Sequence, residues 1–183
     1  MQPVYGGSGI VMKKNPLKKK KYLILLTLTP LIIVLDQITK IGILYHYYYG
    51  QSTPVISGFF SLTHVHNTGA AFGMMADAHP AFRVPFFLIV PLVALLVIGY
   101  IFKRLPDKSV LLSCALSLVI GGAMGNLLDR ARLGFVVDFL DFYWQHYHFP
   151  AFNVADSAIC VGVGVLMLDL FTTNELEKGR QRT

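Results

Sequence analysis

Four apolar runs, each about as long as a bilayer's hydrocarbon core is thick, constrain this chain more than any other feature. They fall at residues 22–43, 81–102, 109–128 and 153–171. A helix of about 20 residues, rising about 1.5 Å per residue, crosses about 30 Å of hydrocarbon. Of the 183 residues, 54% are hydrophobic and only 14% charged, whereas an ordinary soluble domain carries roughly 25% charge. That balance excludes a water-soluble enzyme, and it is the reverse of what a disordered chain needs. The expected architecture is mainly α: a four-transmembrane-helix bundle. Residues 22–171 form its single domain, between a basic N-terminal segment (1–21) and a tail (172–183). A signal peptide is the rival reading of the first run. No small-x-small cleavage site follows it, however, and the run continues past Asp36 to spanning length. Residues 1–11 read as a leader, with Met12 a natural start, and lie outside fold reasoning.

The net charge of +6 is unevenly placed. Six of the ten lysines precede the first run, at positions 13, 14, 18, 19, 20 and 21. Lys103, Arg104 and Lys108 separate the second and third runs, and Lys178, Arg180 and Arg182 follow the fourth. Basic clusters at alternate loops are the positive-inside pattern. They put both termini in the cytoplasm and turn residues 44–80 and 129–152 outward. A nucleic-acid surface would instead gather its cations on one folded face, so that partner is excluded. Cys114 and Cys160 lie inside apolar runs and read as small packing residues. No CxxC spacing points to a metal or a redox centre.

The outward segments hold all six histidines. Short β-like runs punctuated by glycine, from residue 53 to 75, read as a small sheet on the outer membrane surface. Tyr45, Tyr47, Tyr48, Tyr49, Tyr143, Trp144 and Tyr147 fit an interfacial aromatic belt. His64-x-His66 alternates like a strand and could hold a metal. A lone pair falls short of a zinc ligand set, so interfacial histidines are the favoured reading and no metal site is assigned. No cofactor is expected.

A charged residue at the centre of a span costs roughly 2.5–3.5 kcal/mol on insertion scales, so depth matters. Asp36 lies about 21 Å, and Lys40 about 27 Å, along the first run from its basic end. Asn126 and Asp129 close the third run, and Asn153 and Asp156 open the fourth. All reach one depth near the outer surface, where a packed bundle would join them in one polar layer. Asp36 and Lys40 (i, i+4) and the neighbours Asp129 and Arg130 carry their own cations and read as ion pairs. Asp141 reads as a solvated loop residue. Asp138, in an apolar setting in the turn after the third run, and Asp156 have no basic residue within four positions. Two such carboxylates in a low-dielectric pocket share a proton. One can then activate water while the other polarises a carbonyl, without a metal. A transporter or proton relay would need a mid-bilayer site and internal repeats, and neither is visible. A purely structural membrane subunit has no use for the two aspartates.

Five blocks now stand in order: Asp36-Gln37-Ile38-Thr39-Lys40; Asn67-Thr68-Gly69-Ala70-Ala71-Phe72-Gly73; residues 121–130, GGAMGNLLDR; Val136-Val137-Asp138-Phe139; and Phe152-Asn153-Val154-Ala155-Asp156-Ser157. In these the chain resembles lipoprotein signal peptidase (signal peptidase II), a family of bacterial membrane aspartyl peptidases. The functional positions show no departure from the pattern. The resemblance implies cleavage of prolipoproteins immediately before a diacylglyceryl-modified cysteine, by a catalytic pair at Asp138 and Asp156. It places supporting residues at Asp36, Lys40, Asn67, Gly121, Asn126, Asp129, Arg130, Asn153 and Ala155. Gly69 is added because glycine there permits close backbone approach. It also implies an outward β-cradle, a short surface helix near 143–151, residence in the bacterial inner membrane among its lipids, and inhibition by globomycin. The chain is expected to act as a monomer.

Overall fold

The computed structural model describes residues 16–69 and 79–181. The leader at 1–11 and the Ala70–Gly73 end of the second block lie outside the described residues. Four long helices carry the chain: α1 (Pro16–His46), α2 (Pro80–Arg104), α3 (Val110–Leu133) and α4 (Val154–Gln181). Each contains a stretch long and apolar enough to cross a membrane. Helix α3 is central. Half of its spanning stretch is buried, against 6–17% for the other three. Leucine, isoleucine, valine and phenylalanine left exposed along α1, α2 and α4 are the surface expected of helices solvated by lipid.

Close packing on α3 follows from its small residues. A Cβ at Gly121 would meet Ile32 Cβ at 2.9 Å, and one at Gly122 would run into the Ala155 carbonyl oxygen. The two neighbouring glycines thus admit α1 on one side and α4 on the other. Helix α3 stops at Gly134, whose φ of 81° suits glycine, and whose N–H donates to Arg130 O at 3.1 Å. At the far end of the bundle, buried Lys21 donates to Leu105 O at 2.7 Å and sits 3.4 Å from Asp107. It therefore closes the C-terminus of α2, where cations are favoured.

Beyond the other end of the bundle lies an antiparallel sheet in the order β1-β2-β3-β4. Its strands are β1 (Ser52–Ile56), β2 (Phe60–Asn67), β3 (Val136–Trp144) and β4 (Tyr147–His148). The four-helix bundle and small sheet match expectation, with two corrections. Asp138 sits inside strand β3, opposite Val65 of β2, rather than in a turn. Residues 143–148 form a tight hairpin where the surface helix was expected, with Tyr143 paired to His148 and Trp144 to Tyr147. The physical reason is local: β-branched and aromatic residues dominate 136–144, a composition that fits a pleated, half-buried surface. Ile43 of α1 and Val137 and Phe139 of β3 form a buried cluster, with Leu62 and Val154 packed against it. This cluster fixes the sheet to the bundle.

Candidate active site

The polar residues of the three helices and β3 meet in one layer, as their depths along the chain suggest. At its base, Lys40 Nζ lies 2.9 Å from Asp36 Oδ2 and 2.9 Å from Asp129 Oδ2, and donates to Asn126 Oδ1 at 2.8 Å. Lys40, Asp36 and Asp129 are almost wholly buried. Taking charges out of water is costly, and here each is compensated by an opposite charge and further hydrogen bonds. Asp129 is therefore the partner of Lys40, not of Arg130: the expected neighbour pair is not made. On a helix, adjacent residues point about 100° apart, so sequence proximity was the wrong guide. Arg130 instead donates to Gly69 O at 3.2 Å, and its guanidinium lies 5.2 Å from the centre of the Phe87 ring.

Gln37, inside the first block, also belongs to this base. Its amide donates to Asp129 Oδ1 at 2.9 Å, to Asp36 Oδ2 at 3.2 Å and to Gly125 O at 3.3 Å. Its position beside a buried acid was the available signal. Asp36 also anchors α4, since its Oδ1 accepts the Ala155 N–H at 2.9 Å. That explains Ala155: its role is a main-chain donor, on a residue small enough to pack near Gly125. Gly121 packs against Ile32 and takes no part in the polar layer.

Above this base stand the two unpaired acids. Asp138 Oδ1 accepts from Asn153 Nδ2 at 2.7 Å, and its Oδ2 from Asn67 Nδ2 at 3.0 Å. Asp156 Oδ1 accepts from Asn126 Nδ2 at 2.8 Å, and its Oδ2 from Asn153 N at 3.2 Å. In return, Asp156 N–H donates to Asn153 Oδ1 at 2.9 Å. This is a capping box: Asn153 precedes α4 and Asp156 is the third residue inside it. One asparagine thus touches both carboxylates. Among the described residues no cation is paired with either; four amide donors hold them instead. Burial first, and then the negative charge of Asp156, push the Asp138 carboxyl up to about 7, against the opposing pull of Asn67, Asn153 and Lys40.

Both acids open onto one groove of about 900 Å³. Its walls come from β2 and the start of β3, from Asn126 and Arg130 of α3, from residues 149–152, and from α4 down to Cys160. Asn67 and Gly69 line it as well, and Gly69 N donates to Asn67 Oδ1 at 3.1 Å. Cys160 is exposed and faces the groove, so it is not the buried packing residue expected. Asp141 is buried and lies 2.9 Å from His148 Nδ1, so it is not a solvated loop residue. His64 and His66 face each other through Nε2 atoms 3.0 Å apart. No group of three or more His, Cys, Asp or Glu residues arranged for a metal occurs among the described residues.

A buried carboxyl and a half-buried one lining the same largely apolar groove have the chemistry to hydrolyse a peptide bond. The family model described as signal peptidase (SPase) II matches residues 28–172. A lipoprotein signal peptidase of Geobacter sulfurreducens is 54% identical over 138 residues, covering 75% of this chain and 85% of that one. Another, of Syntrophotalea carbinolica, is 49% identical over 152 residues, covering 83% and 93%. Among solved structures, a bacterial membrane enzyme determined in meso at 2.3 Å resolution superposes with a TM-score of 0.74 at 32% identity, covering 85% of this chain and 90% of that one.

Proposed function

The chain belongs to the signal peptidase II family, a membrane protease of lipoprotein maturation, and from that premise we propose that Asp138 and Asp156 are the pair that cleaves the prolipoprotein signal peptide. The observation that carries this reading is the one groove that Asp138, buried, and Asp156, half-buried, both line. Burial and the charge of Asp156 raise the Asp138 carboxyl to about 7, so Asp138 is the member that carries the shared proton below that pH. Asp156 then acts as general base on a water between them. The water oxygen bonds to the scissile carbonyl carbon while its proton passes to Asp156. Asp138 gives its proton to the carbonyl oxygen, forming a neutral gem-diol. As the C–N bond breaks, Asp156 returns its proton to the departing amine, and a diol hydroxyl reprotonates Asp138.

The supporting residues divide by contact. Asn67, Asn126 and Asn153 orient the acids. Arg130 holds the Asn67–Gly69 loop through the Gly69 carbonyl, presenting its backbone to an extended substrate. Lys40, Asp36, Asp129 and Ala155 hold α1, α3 and α4 in register beneath. The substrate class is prolipoprotein with a diacylglyceryl cysteine just after the cleaved bond. The apolar wall along α4 suits acyl chains and the signal helix. Lys20, Lys21, Lys103, Arg104 and Lys108 lie at the end of the bundle opposite the sheet, which supports cytoplasmic termini and an active site at the outer face of the inner membrane. The enzyme acts as a monomer within the lipid, and globomycin occupies the same groove.

The test is gel-shift cleavage of a diacylated prolipoprotein by purified enzyme, with and without globomycin. Asp138→Asn and Asp156→Asn should each remain folded and lose turnover. Normal turnover by either would remove the pair.

A further inference from the structure

The cleavage reading leaves the His64-x-His66 motif without a role, and its geometry points to a metal. We propose that His64 and His66 bind Cu2+, and that copper held there inhibits the peptidase. Residues i and i+2 of a strand share one face, so β2 delivers both imidazoles to the same side. Their Nε2 atoms stand 3.0 Å apart. His64 Nδ1 lies 3.0 Å from the Tyr47 carbonyl oxygen, which can only accept. The Nδ1 proton is therefore fixed there, the second-shell arrangement common to metal-ligating histidines, and His64 Nε2 accepts from His66 Nε2–H, a shared proton that a metal would replace. His66 is held between two rings, stacked on Phe135 at 3.7 Å and against Tyr49 at 4.5 Å. Both rings are thus held side by side, and a tilt of each turns its Nε2 from the other toward a shared ion.

Donor chemistry selects among metals: two imidazole nitrogens suit Cu2+, which heads the affinity order of the divalent first-row ions and completes a tetragonal shell with water. Binding requires no net proton release: His66 moves its proton from Nε2 to Nδ1, and water fills the remaining positions. Inhibition follows from place. His66 lines the substrate groove, and the next residue, Asn67, holds Asp138. A hydrated ion there obstructs the groove beside the acid pair.

The test uses full-length enzyme in detergent with substoichiometric Cu2+, in a glycine buffer that keeps weak sites empty. Electron paramagnetic resonance should show one tetragonal copper coupled to two imidazole nitrogens. His66→Phe, which keeps an aromatic ring against Phe135, should lower apparent copper affinity about 100-fold, the upper range for loss of even an outer-shell partner. His64→Phe should do the same. The ratio of cleavage rates with and without copper, taken within each protein, should fall in wild type and stay near unity in both variants. A two-nitrogen signal that survives both substitutions, or no copper held against glycine, overturns the site. Copper bound at full turnover overturns the inhibition. The inhibition arm rests on the peptidase reading, whereas the resonance arm decides the site even if no cleavage is seen. If His64→Phe does not fold, His66→Phe decides alone.

Discussion

Replacing Asp138 with asparagine should abolish turnover and yet make the protein relatively more stable as pH rises. The Asp138 carboxyl titrates near 7 in the fold and at its ordinary 3.8 when unfolded. Between those values the native state binds the extra proton, so stability falls as pH rises. Below 3.8 both states are protonated and the group contributes nothing. Above 7 both are ionised and the full penalty is in force. A rise of about 3 pH units, at about 1.36 kcal/mol each, makes that penalty about 4 kcal/mol at most. Asparagine cannot ionise and escapes it. The substitution carries a separate, constant cost. Asp138 accepts from Asn67 Nδ2 and Asn153 Nδ2, and an asparagine there would set one NH2 against another donor. The informative quantity is therefore the slope. Thermal unfolding of wild type and Asp138→Asn, measured in one detergent from pH 4 to pH 8.5, should show the variant gaining on wild type through the interval and levelling above pH 7–8. A difference that is flat with pH would mean that Asp138 is ionised throughout. The assignment of the shared proton to Asp138 would then fall.

The base of the site offers sharper structural tests. Lys40→Met should destabilise by about 3–5 kcal/mol, because Asp36 and Asp129 would be left buried without their shared cation; a melting curve like that of wild type would show that the two acids are neutral without it. Gly125→Ala would place a Cβ 2.5 Å from Asp36 Oδ2, in a carboxylate that Lys40 holds through Oδ2 and the Ala155 N–H through Oδ1. Overpacking of this kind costs about 1–3 kcal/mol, readable as a lowered melting temperature, and unchanged stability would mean that α1 can slide. Cleavage should persist in EDTA; loss of activity restored by added zinc would bring a metal into the mechanism.

Much of this was legible because membranes simplify the problem. Lipid permits few spanning structures, so apolar run length alone gave the helices. The cost of buried charge made Asp36, Asn126, Asp129 and Asp156 conspicuous at a common depth. Less legible was everything set by direction rather than by depth. Asp129 turned toward Lys40, 89 positions earlier in the chain, and away from its neighbour Arg130. Strand β3 hid because Asp138 and Asp141 interrupt its apolar pattern, and both become buried through partners on other elements. Lys21 reads as one more lysine of a basic block, and only the fold shows it closing α2. The groove itself, with Cys160 on its wall, is a product of three helices and a sheet that no single segment announces.

The cap at the head of α4 has a developmental consequence. Asp156 reaches its hydrogen bonds from Asn153 only as the first turn of that helix closes. Asp138 waits on β3 for the same asparagine. Until the last segment has entered the bilayer and coiled, a nascent chain owns one acid and half a cradle. On the proposed Asp138–Asp156 pairing, cleavage therefore waits for α4 to enter and coil.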